Sequence, residues 1–131
     1  MDLWLLDTNT ISHAIRGVNG VRERIRALPQ QRLRVPVVVV AELEYGSLKA
    51  PHPDQYRLRW RRFIDGIAIV PFDEPAAVAH AHLRHTLRHQ PIGERDLLIA
   101  AIAVANGLGV ATGNIAEFKR VPKLKVVDWA R

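Results

Sequence analysis

Three acidic residues stand where an apolar stretch gives way to polar chain. Asp7 closes LWLLD, Glu42 lies in AELEYG at 41–46, and Asp96 lies in PIGERDLLIAA at 91–101. Thr112 and Asn114 close a further apolar run in VATGN at 110–114. Taken singly, each acid has a plain structural reading. Asp7 can cap a helix through its side-chain oxygen. Glu42 can be an exposed helix carboxylate paired with Lys49 or an arginine. Asp96 can favour the positive end of its helix. Brought together, three carboxylates repel one another unless a cation lies among them, so convergence would imply a metal. Only oxygen ligands are offered at these positions, which favours a hard ion such as Mg2+ or Mn2+. Such an ion on a basic protein suits hydrolysis of a phosphodiester.

The elements that must position these acids follow from the apolar pattern. A strand is predicted at Leu3–Leu6, then helix from about Thr10, interrupted near Gly17–Gly20 and resuming over Val21–Leu28. Val35–Val40 reads as a strand buried on both faces with Pro36 at its start, and Ala41–Lys49 as helix. Pro51–Pro53 breaks that helix, and an arginine-rich one runs from Asp54 to Ile64. A short strand follows at Ile67–Pro71, and Pro75 fits the first turn of a helix reaching His89. Glu94–Asn106 is helix, with Leu97, Leu98, Ala101 and Val104 on one face. Val110–Thr112 and Leu124–Val127 complete the strands. Strands separated by helices imply an α/β fold with a mainly parallel sheet covered on both faces. Ligands of such sheets collect beyond the carboxyl ends of the strands, where Asp7, Glu42 and Asp96 are expected.

The chain has 131 residues, 48% of them hydrophobic, which suits a single domain over 1–131 with a real core. No linker, internal repeat or low-complexity tract divides it. No apolar run approaches the ~20 residues needed to span a bilayer, and the first residues lack the pattern of a secretory signal. No membrane association and a cytoplasmic address are therefore expected. The absence of cysteine excludes disulfides, thiolate nucleophiles and Cys-bound zinc. Lys and Arg total 19 against 13 acids, a formal net charge of +6 that favours acidic partners such as nucleic acid. The arginines cluster at 22, 24 and 26, at 57, 59, 61 and 62, and at 84 and 88. Most belong on solvated helix faces, leaving a subset to meet a ligand. His80, His82, His85 and His89 crowd one helix without the acidic residue of a HExxH site, and read as surface. Trp4 reads as core and Trp60 as packing against a neighbouring helix, although its arginine neighbours would also suit a base-stacking platform.

Four blocks carry a resemblance: LLDTN at 5–9, AELEYG, PIGERDLLIAA, and TGNIAEF at 112–118. In order and spacing the chain resembles the PIN-domain ribonucleases, specifically the VapC toxins of toxin–antitoxin pairs. The closing LKVVDW is also similar to the end of such toxins. The resemblance implies a three-layer α/β/α PIN-like fold. It implies that Asp7, Glu42 and Asp96 form an acidic metal site for Mg2+ or Mn2+, with Asn114 as the fourth site position and Thr8, Asn9 and Thr112 in support. It further implies an endoribonuclease acting on RNA, tRNA or rRNA being frequent substrates, that leaves a 5′-phosphate and a 3′-hydroxyl. The implied partners are a cognate VapB-like antitoxin and a second copy of the chain, as a homodimer.

The chain departs from the pattern in several places. Thr112-Gly113-Asn114 has one polar side chain fewer than relatives commonly carry, and valines at 37–40 stand where many have Ser or Thr. Glu94 and Arg95 replace residues that are usually small or apolar; Glu94 is expected to face solvent, and Arg95 to meet phosphate or partly neutralise Asp96. These departures motivate an alternative, a catalytically weak module that binds RNA or antitoxin. A haloacid-dehalogenase-type phosphatase wants a second Asp two residues after the first, where this chain has Asn9.

Overall fold

The structure, a computed structural model, describes residues 2–130. Its centre is a five-stranded, wholly parallel sheet ordered β3-β2-β1-β4-β5. The strands are β1 (Trp4–Leu6), β2 (Leu33–Pro36), β3 (Ala68–Val70), β4 (Gly109–Ala111) and β5 (Val126–Val127). From β1 the chain steps outward through β2 to β3, then returns to lay β4 on the other side of β1. The strand order therefore reverses between β1 and β4, the place where open parallel sheets leave a crevice at their carboxyl ends. β4 is buried throughout, as are Leu5 and Leu6, in keeping with a sheet covered on both faces.

Seven helices connect and cover the strands among the described residues: α1 (Thr8–Arg16), α2 (Val21–Arg26), α3 (Val37–Lys49), α4 (Pro53–Ile64), α5 (Glu74–Thr86), α6 (Glu94–Asn106) and α7 (Ile115–Phe118). α1 packs against α2 and α4, α3 against α4, and α5 against α6. The helix limits follow local chemistry. Gly17 ends α1 in the left-handed conformation at φ 69° and donates its N–H back to Ala14 and His13. Pro53 and Pro75 sit in first turns, where the missing N–H costs nothing. α5 stops at Thr86, three residues before the predicted His89. Gly109 is required by proximity: a Cβ there would lie 2.6 Å from the Trp4 ring. Trp4 is half-buried and meets Trp129 edge to face at 6.0 Å.

One predicted element is overturned. Val35–Val40 is not a strand that begins at Pro36; β2 ends at Pro36, and the four valines at 37–40 form the first turn of α3. An unbroken apolar run fits a buried strand and a buried helix alike. Side-chain placement decides for the helix, because Val39, Leu43 and Ser47 are buried at intervals of four while Val37 is 40% exposed. Pro36 suits its place too, since a strand end needs no further ladder N–H. Glu42 consequently sits in the second turn of α3 instead of at a strand end.

The tempting aromatic and histidine constellations resolve as structure. Trp60 is fully buried, donating its indole N–H to Ser47 Oγ at 2.8 Å. His82, His85 and His89 are exposed, while His80 lies edge-on to Phe72 at 5.9 Å.

Candidate active site

The crevice between β1 and β4 is built from chain ends. Asp7 follows β1 and caps α1, its Oδ1 accepting the Thr10 N–H at 2.9 Å. Thr10 Oγ1 donates to the Ala111 carbonyl at 2.9 Å, so the first turn of α1 is tied to the last residue of β4. Thr112 leaves β4 fully buried and donates its hydroxyl to Asp7 Oδ2. Both oxygens of Asp7 are thus held, and the residue is buried, only 5% exposed.

From Thr112 a run of hydrogen bonds crosses to α6. The Asn114 N–H donates to Thr112 Oγ1 at 2.9 Å. The Asn114 side-chain amide donates to Asp96 Oδ2 at 2.7 Å and to Glu117 Oε2 at 2.8 Å. Asp96 is buried in the first turn of α6. Burial, then hydrogen bonding with Glu117, pushes its carboxyl up to about 6, while the Asn114 amide pulls the other way. Glu117 moves in the opposite direction: hydrogen bonding with Asp96 holds it below its ordinary range.

Glu42 joins the group from α3 through Arg95. The Arg95 guanidinium donates to Glu42 Oε2 at 2.8 Å, and its Nε lies 3.9 Å from Asp96 Oδ1. Arg95 thus pairs with Glu42 and faces Asp96 at once. Glu94 is exposed, as expected. Asn9 is exposed in the first turn of α1, whereas the Thr8 hydroxyl is buried without a hydrogen-bond partner.

The predicted residues Asp7, Thr112, Asn114 and Asp96 are therefore joined by one run of hydrogen bonds, through the Asn114 backbone N–H at Thr112 and its side-chain amide at Asp96, and Glu42 is attached through a cation. Sequence reading missed Glu117. It stands three residues after Asn114 at the start of a short helix, the spacing by which an Asn and a Glu frame a helix N-terminus, and that signal could have singled it out.

Among the described residues, no three His, Asp or Glu side chains gather closely enough to enclose a metal by themselves. Magnesium does not require such a cage, since it keeps several waters and takes one or two carboxylates. Asp96 and Glu117, bridged by one amide, offer that number, and the unpartnered Thr8 hydroxyl beside Asp7 adds an oxygen with no internal claim on it. The donor set is all oxygen and fits a hard divalent ion.

A PIN domain family model matches residues 4–124. The chain is 32% identical over 129 residues to the tRNA(fMet)-specific endonuclease VapC of Salmonella typhimurium, covering 96% of this chain and 97% of that protein. It is 30% identical over 131 residues to ribonuclease VapC2 of Rickettsia felis, covering 97% and 98% respectively. Among solved structures, it is similar to DNA-bound VapBC from Salmonella typhimurium, with a TM-score of 0.89 and 31% identity over 98% of this chain and 99% of that one. VapBC2 from Rickettsia felis, bound to a fragment of its promoter DNA, gives a TM-score of 0.88 at 29% identity over 97% and 98%.

Proposed function

The chain belongs to the PIN domain family, and from that premise we propose that it is a divalent-metal-dependent endoribonuclease, the toxin of a VapBC-type pair. The observation that carries the proposal is the continuous run from Asp7 through Thr112 and Asn114 to Asp96 and Glu117 at the carboxyl ends of β1 and β4. Acids linked in this way at a strand-order reversal form a site, whereas three unrelated caps would not share partners.

Asp96 and Glu117 would hold Mg2+ or Mn2+, with Asp7 and Glu42 adding negative charge around the ion and Asn114 and Thr8 offering neutral oxygens. The bound ion would supply polarisation of a phosphoryl oxygen and a water of lowered pKa. The chain's own residues do the rest. Asp7 is fixed at both oxygens, so its carboxylate has no rotational freedom to lose when substrate arrives. Asp96 and Glu117 are tied to one Asn114 amide, which fixes where both carboxylates point and suits them to orient an attacking water. Arg95 offsets the negative charge and offers a guanidinium fork to a phosphate next to the acids. Thr112 and Asn114 act by holding Asp7 and Asp96 in mutual register.

The substrate class is RNA, with tRNA suggested by the specificity named for the Salmonella relative. A VapB-like antitoxin, suggested by the VapBC neighbours, and a second copy of the chain are the proposed partners, in the cytoplasm. No helix of the described residues is long and apolar enough to cross a membrane. Sequencing of new RNA 5′ ends after induced expression tests the proposal. Wild type should generate discrete 5′-phosphate ends that Asp7→Asn does not, and purified protein should lose cleavage in EDTA and regain it with Mn2+. Undiminished cleavage in EDTA would refute the metal-dependent reading. The Arg95–Glu42 ion pair favours a second reading, a binding module in which Glu42 is already taken up by a cation of the chain itself. RNA affinity without any metal-stimulated turnover on total cellular RNA would select it.

A further inference from the structure

The structure sorts the arginines that the sequence leaves in clusters. Arg57 and Arg61 are committed to Glu44, at 2.7 and 3.0 Å. Arg22 donates to the Ala14 and Ile15 carbonyls at 2.8 and 2.6 Å, and Arg59 donates to the Ile15 carbonyl at 3.2 Å. Two guanidinium groups are thus gathered at the C-terminal end of α1, whose partial negative charge favours them. Arg26 and Arg62 stand in the same concavity, exposed and with no hydrogen bond or ion pair among the described residues. Ile15 and Phe63 complete its lining, and no carboxylate belongs to it. Asp65 lies in the adjoining hollow and forms no ion pair.

Four guanidinium groups around one hollow repel one another, and the α1 carbonyls account for only two of them. From this geometry we propose that Arg22, Arg26, Arg59 and Arg62 form a binding site for the phosphate backbone of single-stranded RNA, separate from the acidic crevice and set apart from it by the length of α1. The inference rests on the nuclease reading above. The seven-residue rise from Thr8 to Ile15 measures ~10 Å, which a stacked strand covers in about three nucleotides at ~3.4 Å each. α1 therefore acts as a spacer, with Asp7 at one end and the arginines at the other. RNA is favoured over an acidic protein segment because guanidinium forks match phosphate, because Arg26 and Arg62 are left unpaired, and because the chain carries a net charge of +6.

The test uses a fluorescein-labelled single-stranded RNA 20-mer and full-length protein in EDTA, with anisotropy read across a salt series. The Arg26→Glu/Arg62→Glu variant should bind at least tenfold more weakly, and its slope of log affinity against log salt should flatten by about 1. The Arg84→Glu/Arg88→Glu variant makes the same change in net charge on the α5 side of the molecule and should bind within about twofold of wild type. Equal losses in both variants would reduce the effect to overall charge and overturn the site. An unchanged affinity in the first variant would overturn it too, as would a loss of binding to a poly-glutamate peptide with RNA binding intact. Metal-stimulated cleavage by wild type beside an unaffected Arg26→Glu/Arg62→Glu variant defeats this inference alone. A wild-type chain that neither binds nor cleaves RNA defeats the nuclease reading as well.

Discussion

At the scale of single residues, the candidate site is an arrangement of acids that share neutral partners. Asp96 holds its proton to a higher pH in the folded chain than in the unfolded one. Folding therefore takes up a proton between pH ~4 and the folded value of about 6, so stability falls as pH rises through that window and levels off above it. In metal-free protein at pH 7.5, Asp96→Asn should remove that penalty, worth about 1–3 kcal/mol, and raise the melting temperature by ~5 °C. The gain should disappear near pH 4, and a variant that melts below wild type at pH 7.5 would contradict the assignment. Glu117→Gln keeps the shape of the site but removes a charge. It should slow RNA cleavage at least tenfold and raise the Mn2+ concentration for half-maximal rate, both measurable in one metal titration. Asp7, Asp96, Thr112 and Asn114 were legible in the sequence because each stands at the edge of an apolar run. Glu117 was not, because a four-residue helix carries too little periodicity to announce itself. The Arg95–Glu42 pair was hidden for a different reason: its two members are 53 residues apart.

At the scale of elements, α3 holds the lesson. Most other limits could be read locally, from Pro53 and Pro75 inside first turns and from the Gly-rich stretch after α1. The valines at 37–40 offered no such punctuation beyond Pro36, and β-branched residues favour strands in isolation. What makes them helical is tertiary: Val39 lies on the buried stripe continued by Leu43 and Ser47, and Ser47 accepts the Trp60 N–H from α4. Helix and strand predict different outcomes for two alanine substitutions. Val39→Ala should destabilise by about 1.5–3 kcal/mol in urea unfolding, through lost burial and a residual cavity. Val37→Ala should change stability by no more than ~0.5 kcal/mol, because it replaces an exposed β-branched residue with a better helix former. Two comparable losses would point back to a buried strand.

For the whole molecule, the distribution of charge and apolar surface separates three regions. The acidic crevice lies at the carboxyl ends of β1 and β4, and the arginine hollow at the far end of α1. A third surface carries Tyr45 and Leu48, three residues apart on α3 and 62% and 77% exposed. Such side chains are costly to leave in water in a group, and they suit the proposed pairing of two copies. Light scattering at micromolar concentration should give twice the chain mass for wild type and the single-chain mass for Leu48→Asp, with unchanged circular dichroism. A wild-type protein that remains single at high concentration would remove self-association from the proposal.

Asp7 both terminates β1 and caps α1, and this double duty bears on how such a chain could lose its activity. Asparagine caps a helix as well as aspartate does, whereas alanine forfeits about 1 kcal/mol at the same position. A lineage under selection to disarm this protein thus meets two fates at one codon. On the role proposed for Asp7, Asp7→Asn would give an inactive chain about as stable as wild type, still able to occupy an inhibitor made against the active form. Asp7→Ala would lose the cap together with the acid, and the same inactivation would then come with a less stable fold.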